Sequence, residues 1–158
     1  MFHLTIESFN PFCFNVSIVS NTLICWLHQL CAKSDVICFQ ETWIEPNQED
    51  LSNFKLDGFN CHFVSLGRGK GVATYYKENF KFQDEVKNPM YQIAKIASKE
   101  VDIINVYRSS NAPSMFMDNL KSLITQERET HILGDFNFCY KSDRNNKIAN
   151  VLDELGFR

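Results

Sequence analysis

Three stretches of this chain, "DVICFQET", "VDIINVY" and "THILGDFN", run apolar for several residues and then stop on groups that do not belong in a core. The first stops at Gln40 and Glu41, the second at Tyr107 and Arg108, and the third at Asp135 and Asn137. An ionised carboxylate is far more costly to bury than the roughly 2–7 kcal/mol of an unpaired neutral polar group, so it is met hydrogen-bonded, paired or coordinating a metal. In α/β folds the carboxyl ends of buried strands are where ligands bind. The three endings therefore constrain fold and chemistry together. If the three strands are neighbours, Glu41 and Asp135 face one shared pocket, with the Asn137 amide and the Tyr107 hydroxyl beside them.

The rest of the chain supplies elements to build around those strands. "HLTIESFN" alternates and reads as a first strand over residues 3 to 9. In "NTLICWLHQLCAKSD" the residues Leu23, Trp26, Leu27, Leu30 and Cys31 fall on one helical stripe. From residue 60 to 107 the pattern turns to β segments, "NCHFVSL", "GVATYYK", "KFQDEV", "YQIAKIAS" and "VDIINVY", with connections short enough to favour antiparallel neighbours. A helix fits Phe116, Leu120, Leu123 and Ile124 after Pro113, and a last one fits Ile148, Val151, Leu152 and Leu155 with Gly156 as its C-terminal stop. The order βαβ, several strands, then αβα indicates one mixed α/β domain over residues 1–158, with helices covering sheet faces.

Composition bears on partners and compartment. With 44% apolar residues and 14 Phe the chain has material for a core and is unlike a disordered segment. A formal charge of -3 gives no global pull toward nucleic acid, so phosphate contacts must come from local basic residues or a bound cation. The six cysteines form no CxxC pair and read as reduced core thiols. No Lys or Arg precedes Lys33, and no run near the start is long and apolar enough for a signal core or a membrane helix, so a soluble intracellular protein is expected.

Two carboxylates without a close-spaced His or Cys partner suit a hard, oxygen-preferring cation, Mg²⁺ or Mn²⁺ over Zn²⁺. Such an ion, held by one or two carboxylates, can bind a phosphate oxygen and stabilise the charge of phosphoester cleavage. Asp and Asn also recur after strands for turn reasons alone, and the convergence of three endings is what favours the functional reading. "GRGKG", Gly67 to Gly71, is too short for a P-loop and leads into a strand, so it reads as a glycine turn. Its Arg68 and Lys70, with Arg108, are candidate phosphate contacts. An EF-hand beginning at Asp135 is excluded, because the loop lacks the glycine at its sixth position and has Asn146 where Glu belongs. The scattered His3, His28, His62 and His131 read as structural.

The ordered set "ICFQETW", "GRGKGVATYY", "DIINVYRS" and "HILGDFN", preceded by "LTIESFN", resembles the successive motifs of the endonuclease/exonuclease/phosphatase superfamily. The flavour is most similar to the endonuclease domain of eukaryotic mobile elements, and the resemblance spans nearly the whole chain. It implies a four-layer α/β sandwich, two mixed sheets face to face with helices outside, and a Mg²⁺-dependent phosphodiesterase acting on DNA in the nucleus. It implies Glu41 as metal ligand, Asp135 as the group that orients or deprotonates the attacking water, and Asn137 as its positioner on the phosphate. Tyr107 would donate to the phosphate in the transition state, and Asn10 would support the metal-side network. The complete domain of that family continues to a last strand pair with a Ser-Asp-His type motif, whereas no His follows Asp135 here. The fold is therefore expected to be incomplete at its C-terminal end, with the remainder of a larger polyprotein as one expected partner and no membrane partner. The alternative expectation is a catalytically dead remnant or a non-catalytic interaction module of the same fold.

Overall fold

Successive residues of a strand point to opposite faces of its sheet, and this chain has strands that bury both. The computed structural model describes residues 6–9, 32–42, 55–67, 70–137 and 147–156. Its strands are β1 (Ile6–Phe9), β2 (Val36–Gln40), β3 (Asn60–Val64), β4 (Val72–Tyr76), β5 (Lys81–Asn88), β6 (Tyr91–Ala97), β7 (Val101–Arg108) and β8 (Glu129–Asp135); its helices are α1 (Met115–Leu123) and α2 (Lys147–Glu154). They form two four-stranded mixed sheets, ordered β1-β2-β4-β3 and β5-β6-β7-β8. Each sheet combines one parallel pair, β1 with β2 and β7 with β8, with antiparallel neighbours.

The sheets meet face to face. Val36 and Cys38 of β2 and Tyr76 of β4 pack against Ile96 of β6 and Val101 and Ile103 of β7. Nearer the other end of the strands, Val64 and Val72 meet Ala94 and Tyr107. The intervening residues serve the outer faces. Tyr91, Ile93, Ile104 and Val106 receive Phe116, Leu120 and Leu123 of α1, with Leu152 of α2 against the same cluster. On the other sheet Ile37, Phe39, Ala73 and Tyr75 gather Leu56, Phe59 and Phe63. This is the expected α/β sandwich. The amphipathic helix read around residues 22–31 and the candidate Asn10 lie outside the described residues.

Two expectations are corrected. The three polar-ended strands are not all neighbours in one sheet: β7 and β8 pair in parallel, but β2 belongs to the opposite sheet and reaches them across the interior. Nor is "THILGD" fully buried. As the edge strand of the described sheet, β8 is half-buried along most of its length, whereas β2 and nearly all of β7 are buried. The opposite edge, β5, is largely exposed and charged, with an irregularity between Phe82 and Asp84, features that discourage edge-to-edge pairing.

One charged cluster is buried under the helical layer. Asp102 is 1% exposed and Lys95 8%. The Lys95 ammonium donates to Leu123 O at 2.7 Å and Thr125 Oγ1 at 2.7 Å, and forms an ion pair with Asp102 at 2.7 Å. Arg128 Nε donates to the other Asp102 oxygen at 2.8 Å while its terminal nitrogens bond Lys99 O and Ser98 O. The cluster ties the end of α1 and the entry to β8 onto the sheet. Burial alone would raise the Asp102 carboxyl, but hydrogen bonds from Lys95, Thr125 and Arg128 hold it below the ordinary carboxylate range.

A carboxyl lowered in the folded state contributes stability above its unfolded pKa and loses it as pH falls through the folded value. Asp102→Ala, which leaves Lys95 buried and unpaired, is expected to lower unfolding stability in urea at pH 7 by about 3–5 kcal/mol. The gap between variant and wild type should narrow on acidification below pH ~4.

Candidate active site

β7 and β8 run parallel in a register that sets Tyr107 opposite Asp135. Both strands therefore end at one level, one carrying a phenol and the other a carboxylate. From the facing sheet, β2 ends at Gln40 and delivers Glu41 to the same end of the sandwich. Glu41 and Asp135 are close enough to act on each other's charge, and both act on Tyr107. Desolvation and then the Asp135 charge push the Glu41 carboxyl above its ordinary range. Desolvation, Glu41 and Asp135 likewise raise the Tyr107 hydroxyl, so it stays protonated and able to donate.

The backbone is bent where the chemistry sits. Glu41 has φ of 51° and Asn137 φ of 50°, in the left-handed region that side chains other than glycine rarely adopt. Asn tolerates that region; Glu does so at a cost, and such outliers persist where surrounding structure holds them. At Asn137 the holding contacts are visible: its amide N–H donates to Asp135 Oδ1 at 2.8 Å and its Nδ2 to Arg108 O at 2.8 Å. The two bonds tie Asn137 to both strand ends. Gly134 explains how Asp135 arrives there. A Cβ on Gly134 would stand 1.9 Å from Val106 O, so only glycine lets β8 lie this close to β7 one residue before the carboxylate.

The glycine turn reaches the site from the side. A Cβ on Gly71 would meet Thr42 Oγ1 at 2.9 Å and Val64 O at 2.8 Å, so the turn packs against the residue following Glu41. Lys70, half-buried, precedes that contact; Arg68 lies outside the described residues. Arg108 is not brought to the cluster. Its guanidinium lies over the Phe116 ring at 5.7 Å and donates to Phe136 O at 3.0 Å, on the helix side of the sheet. Glu41, Tyr107, Asp135 and Asn137 thus come together, Lys70 flanks them, and Arg108 faces away.

Sequence reasoning passed over Asn105 and Gln92, both fully buried. The signal was present: on β7 the alternation Val101, Ile103, Asn105, Tyr107 puts an amide in an apolar series on the site-bearing face. The two described histidines have carboxylate partners, His62 with Glu85 at 2.7 Å and His131 with Glu129 at 3.0 Å. Cys38 and Cys61 are free; burial pushes the Cys38 thiol up to about 12. No described group of three or more His, Cys, Asp or Glu could hold a metal, so these residues offer a cation at most two carboxylates. No described helix is long and apolar enough to cross a membrane.

The profile of the Endonuclease/Exonuclease/phosphatase family matches residues 20–155. Among solved structures, an AP endonuclease from Archaeoglobus fulgidus is similar at 23% identity and a TM-score of 0.58, over 85% of this chain and 58% of that one. A humanized TDP2 from D. rerio is similar at 16% identity and a TM-score of 0.59, over 90% and 65%. The 3' phosphatase NExo from Neisseria, bound to a product DNA hairpin, is similar at 16% identity and a TM-score of 0.57, over 92% and 64%. The chain thus spans less than two thirds of the length of each of these structures. No curated protein sequence matches it.

Two outcomes are expected from this geometry. Gly134→Ala must separate β8 from β7, and should destabilise the protein to urea by at least about 2 kcal/mol. For Glu41 the sign is the reverse of Asp102: a carboxyl raised in the folded state destabilises that state once it ionises, and the penalty disappears as pH falls. Glu41→Gln should therefore raise the melting temperature at pH 7 in EDTA, with the advantage shrinking as the pH is lowered through the carboxylate range.

Proposed function

The chain belongs to the endonuclease/exonuclease/phosphatase family, and from that premise we propose that it hydrolyses phosphodiester bonds in DNA as a divalent-metal-dependent endonuclease of the kind carried by mobile elements. The observation that carries the reading is the meeting of Glu41 from one sheet with Tyr107 and Asp135 from the other, coupled through their charges.

The donor set fits a hard cation. Desolvation and then the Asp135 charge raise the Glu41 carboxyl, a cost that a bound cation would relieve, and Mg²⁺ is commonly held by only one or two carboxylates, with water and phosphate oxygens completing its shell. Glu41 would ligate Mg²⁺ or Mn²⁺, with Asn10 supporting that side. When bound, the ion supplies charge neutralisation at the phosphate.

The chain's own groups then divide the remaining tasks. Asp135 orients the attacking water and accepts its proton, the role expected of a general base within hydrogen-bond reach. Asn137 has one side-chain N–H engaged with Arg108 O; its other N–H and its amide oxygen are assigned to the phosphate and the water. Tyr107, kept protonated, donates to a phosphate oxygen as negative charge builds. Lys70, on the turn packed beside Glu41, and Arg68 in the sequence before it are assigned to flanking phosphates of the strand, where a point charge suffices. Because the attacking group is water, no covalent enzyme intermediate forms.

The test is nicking of supercoiled plasmid by this chain with Mg²⁺ and with EDTA. Metal-dependent nicking is expected, abolished by Glu41→Gln and reduced in kcat by about 10²–10⁴-fold by Asp135→Asn. No nicking by the folded wild-type chain, or undiminished nicking by Glu41→Gln, would overturn the reading and favour a non-catalytic module of the same fold.

A further inference from the structure

Glu41 and Tyr107 are carried by strands that share no ladder, so something other than strand pairing must fix their separation. Apolar contact between the two sheets does not suffice, because hydrophobic attraction is non-directional and leaves the sheets free to settle at more than one offset. A directional contact lies next to the site. Asn105, fully buried in the gap, accepts a hydrogen bond from Gln40 Nε2 at 2.8 Å. Its Nδ2 donates to Thr74 Oγ1 at 3.0 Å and Ala73 O at 3.1 Å, with Phe39 O at 3.3 Å. One side chain of the second sheet is thereby satisfied entirely by β2 and β4 of the first.

Its place along the strands is as telling as its partners. Asn105 lies two residues before Tyr107 on the same face of β7, and its register partner Leu133 lies two residues before Asp135. Gln40 immediately precedes Glu41. The amide contact thus sits just behind the cluster, one residue back on β2 and two residues, roughly 6–7 Å, back on β7. A second buried amide extends the layer: Gln92 accepts from the Gly71 N–H at 2.9 Å and donates to Asn88 O at 2.6 Å, fixing the glycine turn to the second sheet.

We propose that Asn105 is the positioning residue of this site, holding the two sheets at the offset that brings Glu41 to Tyr107 and Asp135. The inference rests on the function proposed above, yet it makes a structural claim of its own. An amide that served stability alone would, on removal, cost stability through the buried partners it leaves unpaired, and would leave the rate as an equally destabilising core substitution leaves it. One that sets an offset would not, because a displacement of about 1 Å at the reacting groups can cost roughly 10²-fold in rate.

The test compares Asn105→Leu with Leu120→Ala, which weakens the core beneath α1 on the outer face of the second sheet, opposite the face that carries Asn105. Asn105→Leu is expected to lower kcat for plasmid nicking by roughly 10²-fold with KM for DNA little changed, while Leu120→Ala lowers the melting temperature and keeps kcat. Hydrogen exchange supplies a readout that needs no activity: the amides of residues 40–42, across the gap from the substitution, should exchange selectively faster in Asn105→Leu and not in Leu120→Ala. Should Asn105→Leu not fold, Gln40→Met takes its place, with exchange read at residues 105–107. A kcat equal to that of Leu120→Ala overturns the inference and leaves the nuclease reading standing. If the wild-type chain nicks no DNA, the nuclease reading falls and exchange alone decides: selective acceleration supports the positioning role and uniform exchange overturns it.

Discussion

The candidate site depends on a contact between two sheets that share no strand. Within a sheet, hydrogen-bonded register fixes neighbours to a fraction of an ångström, and this is how Tyr107 and Asp135 come to stand side by side. Glu41 has no such guarantee. It reaches them because the inward faces of β2 and β4 are apolar at one end, through Val36, Cys38 and Tyr76, and amide-bearing at the other, through Gln40 and Thr74. The apolar end supplies attraction and the polar end supplies direction. A buried amide with all its partners is favourable only in one arrangement, and that requirement converts a general tendency of sheets to stack into a specific offset.

The same end of the sandwich concentrates departures from regular strand geometry. Glu41 and Asn137 take left-handed backbone conformations, and Gly134 allows an approach between backbones that any Cβ would block. Each departure turns the chain just after it leaves a buried strand, so the carboxylate or amide points along the sandwich and not into its interior. Strand ends are well suited to this purpose: the ladder behind them is rigid, and the backbone beyond is free to adopt the conformation the site needs.

Much of the architecture was legible because it rests on local periodicity. Short β-rich apolar runs identified β4, β6 and β7, and the helical stripe of Phe116, Leu120 and Leu123 identified α1, since both patterns record which side chains must leave water. What pattern does not encode is which strand joins which sheet. The polar endings of β2, β7 and β8 suggested neighbours, and the structure assigns β2 to the facing sheet, an arrangement that brings the same groups together by stacking in place of pairing. Arg108 shows the corresponding limit at the site: one residue beyond Tyr107 on the strand, it projects to the opposite face and lies over Phe116. Asn105 was legible in principle by the same parity, two residues from Tyr107, but its partners all lie more than thirty positions away or nearly so in sequence, and no local pattern contains them.

Comparing the chain's carboxylates separates structural from chemical roles. Asp102 is the more deeply buried, yet Lys95, Thr125 and Arg128 surround it with donors, and its carboxyl is held low. Glu41 is half-exposed, and its carboxyl is held high by partial desolvation and by a second acid, Asp135. The two cations beside Asp102 already balance its charge. Two acids brought together from opposite sheets, with a protonated phenol beside them, make Glu41 harder to ionise, a cost that nearby positive charge relieves. Burial alone would have selected the wrong residue; the raised Glu41 carboxyl and the left-handed backbone at Glu41 and Asn137 single out this end of the sandwich instead.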